Sequence, residues 1–149
     1  RRMPRLWKSM PKAMVAAASH PDAVVLGADT TVVIRGEALA KPADAEDATR
    51  MLRLLAGRTH DVLTGVCISH HGRRLVHVEP TRVRMARMSE AEIAWYVSTG
   101  EPFDKAGAYA VQGLASRFVN RIEGYYSNVV GLPVAQVYSL CARAGLLVS

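Results

Sequence analysis

The stretch Val24-Val25-Leu26-Gly27-Ala28-Asp29-Thr30-Thr31-Val32-Val33-Ile34 sets an acid inside an apolar run. A carboxylate buried without a partner is costly, so Asp29 is expected at a strand end, facing a cleft, a cation or a water that it can activate. The alternative is a turn aspartate bonding its own backbone between two short strands. Further charged and polar groups are concentrated in Ala40-Lys41-Pro42-Ala43-Asp44, Gly57-Arg58-Thr59-His60 and Phe103-Asp104-Lys105-Ala106-Gly107-Ala108-Tyr109-Ala110-Val111-Gln112-Gly113. No Ser-His-Asp order can be drawn from Ser127 and the histidines. His70-His71 falls on a turn tip, and His60 reads as a strand-start residue rather than a base.

The elements that must position these groups can be read from pattern. Met10 to Ala18 is Ala-rich and fits a helix ending before His20-Pro21, after which a strand pair around Asp29 turns at Arg35-Gly36-Glu37. Asp44 offers a helix N-cap with Asp47 three residues on; Ala48, Met51, Leu52 and Leu55 then recur at helical spacing until Gly57. Asp61 to Ser69 and Leu75 to Met85 read as paired strands joined through His70-His71-Gly72, with Pro80 marking a bulge or an edge. Ser89-Glu90-Ala91-Glu92 forms a capping box for a helix that turns Ile93, Tyr96 and Val97 inward and closes at Gly100. The glycine-rich stretch from Gly107 to Gly131 reads as irregular strands and loops around a site. Val134, Val137, Tyr138 and Cys141 mark the inner face of a terminal helix. The expected architecture is α/β, a mixed sheet with flanking helices.

A chain of 149 residues, half of them hydrophobic, suits one domain with a substantial core. Five positive charges, Arg1, Arg2, Arg5, Lys8 and Lys12, precede the first acid, Asp22, and account for most of the net +6. The rest is nearly balanced. With only nine aromatics, no interleaving of aromatic and basic residues and no zinc-ligand spacing, nucleic acid is not the expected partner. No apolar run approaches bilayer length, and the basic start lacks an apolar segment with a cleavage site, so neither membrane anchor nor secretion signal is expected and the cytoplasm is the expected compartment. Cys67 and Cys141, far apart among apolar neighbours, read as reduced core thiols.

Taken in order, the segments around Asp29, Lys41, Arg58-Thr59 and Asp104-Lys105, with Tyr126-Ser127-Asn128-Val129-Val130-Gly131-Leu132-Pro133, resemble the Maf family of nucleotide pyrophosphatases from about Lys12 onward. The resemblance implies a single domain over 1–149, with 1–11 a divergent basic start. It also implies an elongated twisted sheet like that of inosine triphosphatases, with a cleft between two lobes, and a homodimer. The implied reaction is cleavage of a nucleoside triphosphate to the monophosphate and pyrophosphate, with a divalent cation, Mg or Mn. Asp29 matches the proton acceptor, and Lys12, Lys41 and Lys105 match phosphate-neutralising positions. Asp104 is a metal ligand beside Asp29, the partner that fixes Lys105, or a turn cap. Thr30 and Gln112 match positions tied to substrate choice, and a Gln amide can donate to and accept from the edge of uracil or thymine. Arg58 and Thr59 take supporting roles.

The wording Asp104-Lys105-Ala106-Gly107 and Gln112-Gly113 resembles the dTTP/UTP branch rather than the one acting on methylated GTP, which stays an alternative. Family members begin with a strand and a Ser/Pro/Arg-Arg phosphate loop that this sequence does not present, so a truncated or misread start, a missing first strand and weakened phosphate grip are expected. A non-catalytic binding or cell-division regulator is the other functional class.

Overall fold

In the computed structural model the chain is described for residues 9–147, with side chains from Ala13 onward. Helix α1 (Ser9–Ser19) leads into strand β1 (Val25–Ile34), which turns at Arg35-Gly36 into the short β2 (Glu37–Leu39). Helix α2 (Ala45–Leu55) crosses to the long hairpin of β3 (Thr59–His70) and β4 (Arg73–Met85), and α3 (Glu90–Ser98) follows. Three 3₁₀ turns, Glu101–Asp104, Ala106–Ala108 and Leu114–Phe118, precede β5 (Val119–Glu123), α4 (Tyr126–Val130) and α5 (Val134–Arg143). None of the described helices is long and apolar enough to cross a membrane.

The five strands form one sheet in the order β2-β1-β3-β4-β5. Every pairing among the described residues is antiparallel, where a mixed sheet was expected. Two-residue turns at Arg35-Gly36 and His71-Gly72 force antiparallel neighbours, since a parallel pair needs a long crossover. Pro80 sits where β4 has a free flank, because β5 pairs only from Arg82 onward; the bulge lies farther on, at Arg84/Met85.

Alternation then divides the sheet into two faces. One carries Val32, Ile34, Val62, Val83 and Met85, and α2 and α3 cover it with Ala48, Met51, Leu52, Leu55, Ile93, Tyr96 and Val97, the residues their periodicity marks as inward. Asp44 caps α2 by accepting from Asp47 N–H at 2.8 Å, and Ser89 and Glu92 complete the capping box of α3. A second cluster packs Val66 and Ile68 against Leu140 of α5. The terminal helix departs from expectation: Val137 and Cys141 pack on this cluster, but Val134 and Tyr138 are exposed, and Leu140 is the residue that is buried. Apolar residues lie on more than one side of α5, so spacing alone does not select the covered side.

Between the two clusters α4 is fastened to the sheet by fully buried Asn128. Its side-chain amide nitrogen donates to the carbonyls of Val62 (3.3 Å) and Glu79 (2.8 Å) and to Thr81 Oγ1 (2.9 Å), and its backbone carbonyl accepts from Thr64 Oγ1 at 3.1 Å.

Candidate functional site

The opposite sheet face stays open over its β2-proximal half and floors a cleft of about 1610 Å³. Asp29 stands on this face, half-buried in the middle of β1 rather than at its end. It lies directly across from Gly65 of β3. A glycine at that register leaves no side chain over the carboxylate, which keeps room for a ligand beside it.

Lys41 lines the same cleft from the loop after β2. Two features draw the Lys105 segment toward it. Gly107 N–H donates to the Ala40 carbonyl at 3.1 Å, and Gly107 adopts φ +72° against Val32, whose methyls leave no room for a β-carbon. Ala108 also takes a left-handed φ of +64° while fully buried, an uncommon state for a residue with a side chain. Lys105 Nζ pairs with Asp104 Oδ1 at 3.1 Å. That hydrogen bond and its charge, with Lys41 adding from farther away, hold the exposed Asp104 carboxyl below the ordinary carboxylate range.

Asp29 and Lys41 therefore line one cleft, and the Asp104–Lys105 pair directly precedes Ala106, which also lines it. Thr30 borders it too, but its hydroxyl points elsewhere: the Thr64 proton goes to the Asn128 carbonyl, so Thr30 Oγ1 donates to Thr64 Oγ1 at 2.9 Å. Neighbours in a strand face opposite ways, and Asp29 and Thr30 obey that rule. Gln112 is exposed on a turn and is not among the cleft-lining residues. The side chain of Lys12, like Arg1, Arg2, Arg5 and Lys8, lies outside what the structure describes.

Arg58 supports from behind, donating to the Arg53 and Leu54 carbonyls at 3.1 and 2.8 Å, where it satisfies the C-terminal end of α2. Thr59 lines the cleft. His60 is buried and hydrogen-bonded to Tyr109 Oη at 2.7 Å, and burial pushes its imidazole down from 6.5 to about 4, against a smaller opposing pull from Asp61. An imidazole held neutral this way suits a structural strand-start residue.

The sequence reading did not single out the arginines of the cleft floor. Arg35, Arg82, Arg84 and Arg121 all line it; Arg82 lies 3.5 Å from Asp61, and Arg121 3.0 Å from Glu123. The alternation Thr81-Arg82-Val83-Arg84-Met85, with buried residues at every second place, was the available signal.

No group of three or more His, Cys, Asp or Glu side chains that could enclose a metal occurs among the described residues. Asp29 can still fit a hard divalent cation, because magnesium-type ions commonly take one or two carboxylates and complete their shell with water and substrate phosphate oxygens. Asp104 fits less well, since its carboxylate is engaged with Lys105.

The family model described as "Maf-like protein" matches residues 7–144. The chain is 54% identical over 136 residues to a protein of Koribacter versatilis named dTTP/UTP pyrophosphatase, covering 91% of this chain and 70% of that one. A protein of the same name from Anaeromyxobacter dehalogenans is 56% identical over 133 residues, covering 87% and 69%. The similarly named protein of Pyrococcus horikoshii is 49% identical over 129 residues, with 87% and 69% covered.

Proposed function

This chain belongs to the Maf-like family, and from that premise we propose that it hydrolyses dTTP and UTP to the nucleoside monophosphate and pyrophosphate. The observation that carries the reading is that Asp29 and Lys41 line one open, arginine-bearing cleft, in a chain about half identical to proteins named for this activity.

In this reading Lys41 and Lys105 take the phosphate chain, whose several negative charges need compensation in a partly desolvated site. Asp29 accepts a proton from the attacking water. The water oxygen bonds to the α-phosphorus, the bond from that phosphorus to the bridging oxygen breaks, and its electron pair leaves with pyrophosphate. A divalent cation, when bound, would supply charge neutralisation and increase the acidity of water, with Asp29 the first residue to hold it and Asp104 the second candidate. Gln112 reads the pyrimidine edge and Thr30 shapes substrate choice through its strand position; Lys12 is a third phosphate-binding candidate. The proposal extends to one Maf-like domain over the 149 residues, a homodimer, and work in the cytoplasm. Nothing observed favours a non-catalytic regulator or the methylated-GTP alternative.

The test is product analysis with dTTP and UTP in the presence of Mg or Mn. Equal amounts of monophosphate and pyrophosphate are expected, with loss of activity on chelation and recovery on adding the cation back. Release of orthophosphate with a nucleoside diphosphate, or no turnover of either pyrimidine nucleotide, would overturn the reading.

A further inference from the structure

Gln112 sits on the turn from Ala110 to Gly113, closed by the Gly113 N–H on the Ala110 carbonyl at 3.1 Å. Both shoulders of that turn are tied to the same pair of side chains. On one side, Ala110 N–H donates to Tyr96 Oη at 3.2 Å. On the other, Leu114 N–H donates to Glu101 Oε1 at 2.9 Å and Ala115 N–H to Glu101 Oε2 at 3.3 Å. The two side chains are joined in turn, since Tyr96 Oη donates to Glu101 Oε2 at 2.5 Å.

Tyr96, on α3, is fully buried in the hydrophobic core, so the clamp is rooted there. Burial and the hydrogen bond to Glu101 both raise the Tyr96 hydroxyl well above its ordinary range, keeping it a donor. Gly113 completes the fit: a β-carbon there would collide with the Glu101 carboxylate, so that carboxylate lies flat against the glycine. Gly100, at φ +79°, swings the chain out of α3 to bring Glu101 into place.

We infer that Glu101 and Tyr96 are positioning residues that hold the Gln112 turn where its amide can meet the nucleotide base, an inference that rests on the reading of Gln112 as base-recognising. Hydrogen bonds weaken steeply with distance and angle, so an amide that discriminates bases needs its backbone fixed to within a fraction of an ångström. A carboxylate accepting from three donors supplies that fixity without touching the ligand. Tyr96, Glu101 and Gln112 all stand outside the lining of the cleft that holds Asp29, so the clamp is separate from proton transfer.

The experiment compares Glu101→Gln, Tyr96→Phe, Gln112→Ala and the double variant Glu101→Gln/Gln112→Ala. It measures kcat and KM for dTTP and for dATP, with thermal unfolding of each protein. Glu101→Gln keeps the shape and carries the test should Tyr96→Phe fail to fold. It is expected to raise KM for dTTP about tenfold and shrink the preference over dATP by a similar factor, leaving kcat within about threefold. In the Gln112→Ala background the same change should not alter the preference further. Equal losses on both nucleotides, or an unchanged preference where Gln112→Ala does narrow it, would overturn the positioning role alone. If Gln112→Ala itself left the preference intact, the base-reading assignment would fall and the positioning role with it.

Discussion

Asp29 and Gln112 are held in place by different means. Asp29 is one residue in a strand whose backbone is paired from Val25 to Val33 with β3, itself paired along its full length with β4. Its position is set by many ladder hydrogen bonds, and no single neighbouring side chain decides it. Gln112 lies in a segment of short 3₁₀ turns with two left-handed residues, Gly107 and Ala108, and no ladder. There a few side chains, Tyr96, Glu101, and Tyr109 held by His60, replace the ladder. The acid is therefore robust to changes around it and sensitive only to its own replacement, while the turn is sensitive to residues that never reach the ligand.

The largest expected effect tests the first half of that contrast. Asp29→Asn removes the proton acceptor but leaves the paired strand intact, so turnover of dTTP should fall by about 10²–10⁴-fold, with nucleotide binding and thermal unfolding nearly unchanged. Pyrophosphate release measures it. Turnover within a few-fold of the parent would remove Asp29 from the chemistry. A large loss of stability would mean that the open sheet face depends on this side chain.

The second half predicts a smaller change of another kind. Gln112→Glu removes the amide donor and adds a charge, so discrimination for UTP and dTTP over purine triphosphates should drop by about 1–3 kcal/mol. Chemistry at Asp29 should go on. An unchanged ranking of nucleotides in competition assays would show that the turn does not read the base.

The same contrast explains what could be read from the sequence. Helices α2 and α3 announced themselves because Asp44 and Ser89 are caps, and in α2 the apolar residues behind the cap fall on one side. That Asp29 faces a cleft was legible because an acid in a β-rich apolar run has few places to go, although it stands in mid-strand and not at the strand end expected. Thr30 was read with Gln112 as a position tied to substrate choice, yet a strand sends consecutive side chains to opposite faces, and its hydroxyl ends on Thr64. The cleft arginines were hidden by the reverse problem, spaced two apart and drawn from three elements that only the register brings side by side. The role of Glu101 was not visible at all. Its partners Tyr96, Leu114 and Ala115 are set by tertiary folding, and no local pattern encodes a carboxylate meeting backbone donors 13 and 14 residues on.

The smallest effect is expected where the two regions join. His60 opens β3, Tyr109 belongs to the irregular segment, and their 2.7 Å hydrogen bond is a side-chain seam between ladder and turn. Tyr109 is buried, and burial raises its hydroxyl far above the neutral range, so it stays a donor and His60 Nε2 the acceptor. His60 Nδ1 then carries the proton and has no partner among the described residues. Protonating this ring would bury a cation, which is why its folded value lies near 4 against 6.5 for a free imidazole. Between those values the unfolded chain binds the extra proton and the folded chain does not. Stability from this group is thus complete above about pH 6.5 and falls as the pH drops toward 4, by at most about 1.4 kcal/mol per pH unit. His60→Gln keeps a polar atom for Tyr109 but cannot titrate, so denaturant unfolding across pH 4.5 to 7.5 should lose this part of the slope, leaving the variant relatively less acid-sensitive. Base discrimination, a property of the folded protein in which this ring stays neutral down to about pH 4, should stay level over the same interval in both proteins. Parallel slopes for the two proteins would place the acid-sensitive point elsewhere, and the ladder and the turn would then be joined by packing rather than by this hydrogen bond.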